Sequence, residues 1–237
     1  MTPAAPDPTL FVVARDRLEE PPFRAGAQRL CDWITQALGR PFAMTLRFGS
    51  AEAALAAAPA PAPAPRVVLV SLLGEALAAD EPFDDTRARL QQALAALCAL
   101  PGVPVLVCTV FRHVDASAGA RDDPLRTRRL ERIRRLDLLA AELSRAHGAG
   151  VVDIDRMLAD AGGRRLGCDW RLAGADGVDA AGCVVASALL ASALDEVLEP
   201  SALQRVQALH GGAVRLRQRI ERIVAARASR EAARAGS

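Results

Sequence analysis

In "FVVARDRL" (residues 11–18) an apolar run ends abruptly on Arg15, Asp16 and Arg17. Two guanidinium groups around a carboxylate can grip a carboxylate or phosphate bidentately. They can equally pair with neighbouring acids and close a cleft. Similar punctuation follows other apolar runs: Gly49 and Ser50 in "RFGS", Gly74 and Glu75 in "LGEA", Arg112 and His113 in "FRH", and Asp176 with Asp179 in "DGVD". Ser50 is the candidate nucleophile of this set and His113 a candidate base, since a hydroxyl attacks only when a base takes its proton. Ser71 lies inside its apolar run and reads as a core residue. His147 and His210 have no metal-ligand spacing and no C-x-x-C pair occurs, so no structural zinc is expected. Without a Gly-rich phosphate fingerprint, no nucleotide cofactor is expected either.

The elements that must position these groups are legible from periodicity. Short apolar runs at "TLFVVA", "FAMTLRFG", "RVVLVSLLG", "VPVLVCTVFRH" and "AGVVDIDRML" read as strands, the third being continuous enough to be central. Between them, Leu30, Trp33, Ile34 and Leu38 recur at helical spacing, as do Leu90, Leu94 and Leu97. "APAPAPAPR" cannot be a helix interior and reads as an extended connection. A long helix runs from Asp123-Pro124 to Gly148, and the last helix of the domain is "CVVASALLASALDEVL". Strands alternating with helices predict a three-layer α/β/α sandwich on a five-stranded parallel sheet. Ligands of such sheets bind beyond the carboxyl ends of the strands, where the residues named above fall, with the "ADGVD" loop closing over them.

The order of these blocks resembles the SGNH (GDSL-type) hydrolases across roughly residues 9–199, which implies a flavodoxin-like sheet. "RDRL" stands where that family has G-D-S-L: Asp16 and Leu18 match, and Arg17 replaces the serine. Gly49 matches the second-block glycine. "LGEA" stands for G-x-N-D, with Gly74 matching and Ala76 in place of the oxyanion asparagine. "DGVD" stands for D-x-x-H, with Asp176 matching and Asp179 in place of the histidine. The resemblance thus implies a degenerate member without the usual Ser, Asn and His, and the chain is not expected to be an active serine hydrolase. Arg17 is permanently charged and cannot be acylated. Three readings of the altered site follow: a plug in which Arg17 pairs with Asp176, Asp179 or Glu75; an anion site using Arg17 and Arg112, with Ser50, Glu75 and His113 nearby; or displaced catalysis.

Composition sets the remaining bounds. All 30 basic residues of the 237 are Arg, with no Lys, Tyr or Asn, a bias that a GC-rich bacterial genome produces. No lysine can therefore form a Schiff base or bind phosphate in a P-loop. No apolar run reaches the roughly 20 residues of a membrane span, and "MTPAAPDPTL" has no signal-peptide pattern. With five irregularly spaced Cys, of which Cys98, Cys108 and Cys183 read as core, a cytoplasmic protein without disulfides or cofactors is expected. Arg126, Arg128, Arg129, Arg132, Arg134 and Arg135 read as a solvated face of the long helix.

After residue 200 a basic helical extension (201–237) carries an apolar stripe, Leu216, Ile220, Ile223 and Val224, opposite Arg215, Arg219, Arg222, Arg227 and Arg230. It either packs on the sandwich or joins a protein partner or second copy through residues 213–230. Lacking aromatics, it does not suggest nucleic acid. The expectation is a non-catalytic binding or accessory subunit, with a small anionic ligand as an option. The alternative is an esterase or acyltransferase whose active site has moved along the same strand ends.

Overall fold

Strands buried on both faces need unbroken aliphatic sequence, and β1 (Thr9–Val13), β3 (Arg66–Ser71) and β4 (Val105–Cys108) supply it. The computed structural model describes residues 7–15, 17–57, 66–78, 80–110, 124–160, 174–195 and 197–235; at 126, 158, 174–176 and 235 it describes the backbone alone. Two outer strands, β2 (Thr45–Gly49) and β5 (Gly150–Val152), complete a parallel five-stranded sheet of order β2-β1-β3-β4-β5. The expected three-layer α/β/α flavodoxin-like fold is what forms.

Period-two alternation sorts each strand between two cores. Leu10, Val12, Val67, Leu69, Leu106 and Cys108 meet α1 (Glu20–Leu38) and α7 (Gly174–Ser192). Val68, Val70, Val105 and Val107 meet the other layer: α2 (Ala51–Ala57), α4 (Phe83–Cys98) and α5 (Pro124–His147). Leu30 and Ile34 on α1, and Leu94 and Leu97 on α4, are buried as their spacing required. Gly148 ends α5 with φ +75°, and its N–H bonds Ser144 O at 2.8 Å.

Three segments differ from the sequence expectation. The "DGVD" block does not form a loop over the strand ends; it lies in the first turns of α7, which starts at Gly174 and ends at Ser192. Gly and Asp give this stretch little helix propensity, but close packing on α1 overrides that. A Cβ on Gly26 would meet Val185 Cγ1 at 2.5 Å, and one on Gly182 would meet Ala25 Cβ at 2.8 Å. Secondly, β3 and β5 run straight into short helices, α3 (Leu73–Leu77) and α6 (Ile154–Asp160). Thirdly, the segment after residue 200 is two helices, α8 (Pro200–His210) and α9 (Ala213–Ala235). Ala202, Val206, Leu216 and Ile220 from these helices belong to the same core as α1 and α7. Among the described residues no helix is long and apolar enough to cross a membrane.

Candidate functional site

From β1 the chain passes to β2 on one side and then to β3 on the other. That reversal is the topological switch point, where doubly wound sheets bind ligands. A cleft of about 380 Å³ opens there, on the α2/α4 side. Its floor is apolar: Val13, Ala14, Val70, Leu55 and Leu90. Its polar groups are Arg15, Ser50, Glu52, Ser71, Glu75, Arg89 and Gln92.

Arginine–carboxylate pairing dominates one wall. Arg89 holds Glu75 with two bonds, 2.7 and 2.8 Å, and Arg15 reaches the same carboxylate at 3.2 Å. Both guanidiniums also bond Glu81. The bond from Arg15, then that from Arg89, hold the Glu81 carboxyl down to about 2 against a smaller opposing effect of burial. Arg89 in turn is pushed above its usual range, chiefly by its bond to Glu75. Behind them Arg132 is only 7% exposed. It donates to Glu75 O and Glu81 O, each at 2.6 Å, and to Thr86 Oγ1 at 2.7 Å. Burial is the main influence lowering its proton affinity. The α5 arginines are therefore not all a solvated face: Arg132 locks α3 and the following turn to α4 and α5.

Each serine of the cleft is engaged. Ser50 accepts the Ala53 N–H at 3.3 Å, capping α2, and its hydroxyl bonds the Glu52 carboxylate, which lowers that acid's pKa. Ser71 donates to the buried Glu19 and accepts the Leu73 N–H at 3.3 Å. It is buried, as expected, yet its hydroxyl is part of a polar pair that the sequence did not disclose.

The residues expected at the site are only partly brought together. Glu75, Ser50, Gly49, Gly74 and Ala76 lie at the strand ends or in α3. Gly49 has little room: a Cβ there would meet Phe11 Cζ at 3.0 Å. Arg17 is a correction. Its side chain is 80% exposed and pairs with Glu20 at 3.6 Å, whereas Glu75 is held by Arg15 and Arg89 and Asp179 by Arg29. Arg15 is the guanidinium that faces the cleft, because strand alternation sets it on the side of Phe11 and Val13. Asp179 sits on α7 and bonds Arg29 of α1, away from the cleft. Asp16, Arg112 and His113 lie outside the described residues, and of Asp176 only the helical backbone is described. Arg89, Glu81, Glu19 and Arg132 were missed. Alternation could have singled out Arg15, but nothing local marks the other four.

A second polar cluster lies on the opposite layer. The His210 ring stacks on Trp33 with centroids 5.1 Å apart and planes 1° from parallel. The Arg219 guanidinium lies 4.2 Å from the indole centroid and donates to His210 O at 3.0 Å. Burial first, then Arg219 and Arg215, keep His210 below its ordinary value of 6.5. Arg219 is thus a packing residue, not part of the outward face assigned to it. Among the described residues no three His, Cys, Asp or Glu side chains gather as metal ligands.

Comparison with protein families and with curated proteins returns no match. Among solved structures the chain is similar to a gut microbial diltiazem-metabolizing enzyme, with TM-score 0.52 and 13% identity. The alignment covers 78% of this chain and 46% of that one, so the chain spans under half of the enzyme's length. At this identity, the likeness is one of fold.

Proposed function

We propose that the chain is a degenerate SGNH-type protein that binds rather than turns over, serving as an accessory subunit to another protein. The observation that carries this reading is how the switch-point side chains are used. Arg15 and Arg89 are tied to Glu75 and Glu81. Ser50 is held by Glu52 and the α2 main chain, and a carboxylate of lowered pKa is a poor base for it. Neither cleft serine faces an imidazole among the described residues. The test is a serine-reactive fluorophosphonate probe and a panel of p-nitrophenyl esters on the intact protein. No labelling and no turnover above buffer are expected; a labelled serine overturns the reading.

One observation favours a second reading. Ser71 lines the cleft and donates to the buried Glu19 carboxylate, which is a hydroxyl–base pair in a displaced position. An esterase or acyltransferase built on it would label at Ser71 with the same probe and lose both label and turnover in Ser71→Ala.

A further inference from the structure

β2 is an edge of the sheet, and edge strands offer main-chain donors and acceptors to any strand that can align with them. Thr45 N–H donates to Pro8 O at 2.9 Å, and Gly49 O accepts from Ala14 N–H at 3.2 Å. These residues turn inward to β1, so the intervening Leu46 and Phe48 turn their main-chain groups outward. Among the described residues none pairs with them. The side chains alternate too: Phe42, Met44, Leu46 and Phe48 are half-buried on the α1 side, while Ala43, Thr45 and Arg47 are exposed on the other. Beside the edge runs a groove of about 450 Å³ between α1 and β2, lined by Arg24, Gln28, Cys31, Phe42, Met44 and Leu46.

Two contacts fix the height of α1 against this edge. Phe23 packs edge-on to Phe48, centroids 6.0 Å apart, and the Phe42 N–H donates to Thr35 Oγ1 at 3.1 Å. Leu46, a third of the way from Phe48 to Phe42, is therefore level with the α1 turn a third of the way from position 23 to position 35. The exposed stripe Arg24–Gln28–Asp32, spaced i, i+4, i+8, is centred at that turn. Gln28 bonds Asp32 at 3.0 Å, and Arg24 is 60% exposed.

We propose that this edge is an interface with a second copy of the chain, formed by antiparallel β2–β2 pairing centred on Leu46. In that register Leu46 faces Leu46, Phe48 faces Met44 and Thr45 faces Arg47, so no like charges stand directly opposite. The same two-fold axis sets Arg24 of each copy against Asp32 of the other, with Gln28 at the axis. Opposite charges meet twice and the main-chain groups of Leu46 find partners. A register centred on Arg47 would oppose two guanidiniums, which destabilises a strand pair. An isologous contact of this kind closes at two copies and joins two five-stranded sheets into one.

The test is the mass of the intact protein by sedimentation or light scattering, at concentrations up to about 0.1 mM. A dimer is expected. Arg24→Asp alone or Asp32→Arg alone should weaken it about tenfold or more, and the double reversal should restore it. Arg24→Asp also gives up the one-turn pair with Glu20, and Asp32→Arg the bond from Gln28; both are contacts within the surface of α1, so circular dichroism should not move. Leu46→Pro removes an outward N–H without costing a bond to β1 and should leave a monomer. A wild-type monomer at the highest concentration overturns the proposal. So does a dimer indifferent to both single reversals and to Leu46→Pro.

Discussion

At the cleft, guanidinium groups meet carboxylates; on the other layer, the Arg219 guanidinium meets an indole and an imidazole. The first cluster sits at the water's edge, with Arg15 and Arg89 both over 40% exposed, and its charges largely cancel. Glu75 and Arg132 are withdrawn from solvent there, and the Arg132 donors go to two carbonyls and a hydroxyl. On the α1/α9 side, Arg219 meets no carboxylate among the described residues and is held by a ring face, the His210 carbonyl and the His210 Nδ1. Cation–π attraction of this kind is worth about 0.5–2 kcal/mol depending on exposure, so the neighbouring apolar residues Leu216 and Ile220 do most of the docking of α9. The same residue type is thus a tether among acids in one region and a lid on an aromatic stack in the other.

The sharpest way to break this contrast is Arg132→Met. It strips partners from two carbonyls and Thr86 at once, and we expect a loss of about 3–5 kcal/mol in denaturant unfolding. Ile220→Ala on the other layer should cost about 2–4 kcal/mol; a loss near zero would mean that α9 is not docked by its apolar stripe. Titration should separate the two regions. His210 is held below 6.5, so as pH falls past that value the unfolded chain takes up a proton that the folded protein refuses, and stability drops. Glu81 is held at about 2 against an ordinary 4.5, so its contribution is complete above 4.5 and is lost as pH falls towards 2. Thermal melting should therefore show a first decline below pH 6.5 that His210→Gln removes. A second, below pH 4.5, should be reduced in Glu81→Gln. The smallest effect is expected for Arg17→Ala, within about 0.5 kcal/mol, as for other exposed positions. A larger loss would bring back a structural role for Arg17.

The placing of strands and helices along the chain, and the layering that follows, were legible because periodicity is a local property. A continuous run such as "RVVLVS" has to be buried on both faces, and Leu90, Leu94 and Leu97 have to share one. The candidate site was less so. Glu75 and Ser50 were named because they directly follow strands, and the structure keeps them at the cleft. Arg17 was misplaced because a motif position was weighed above strand alternation, which favours Arg15. The "DGVD" block was misread because helix propensity is weak there, and the close Gly26/Gly182 approach that seats α7 on α1 is not visible locally.

By itself the sequence determined the class of fold and the order of its main elements along the chain. These follow from which side chains must leave water and at what spacing. Only the tertiary structure decided which charges meet: Arg89 with Glu75, Arg132 with the turn after α3, Asp179 with Arg29, Arg219 with Trp33. Such pairings join residues as distant along the chain as Trp33 and Arg219, and one arginine on a helix looks like another until the facing element is known. Hydrophobic burial acts through patterns written along the chain, whereas a salt bridge depends on a distance that the chain alone does not carry.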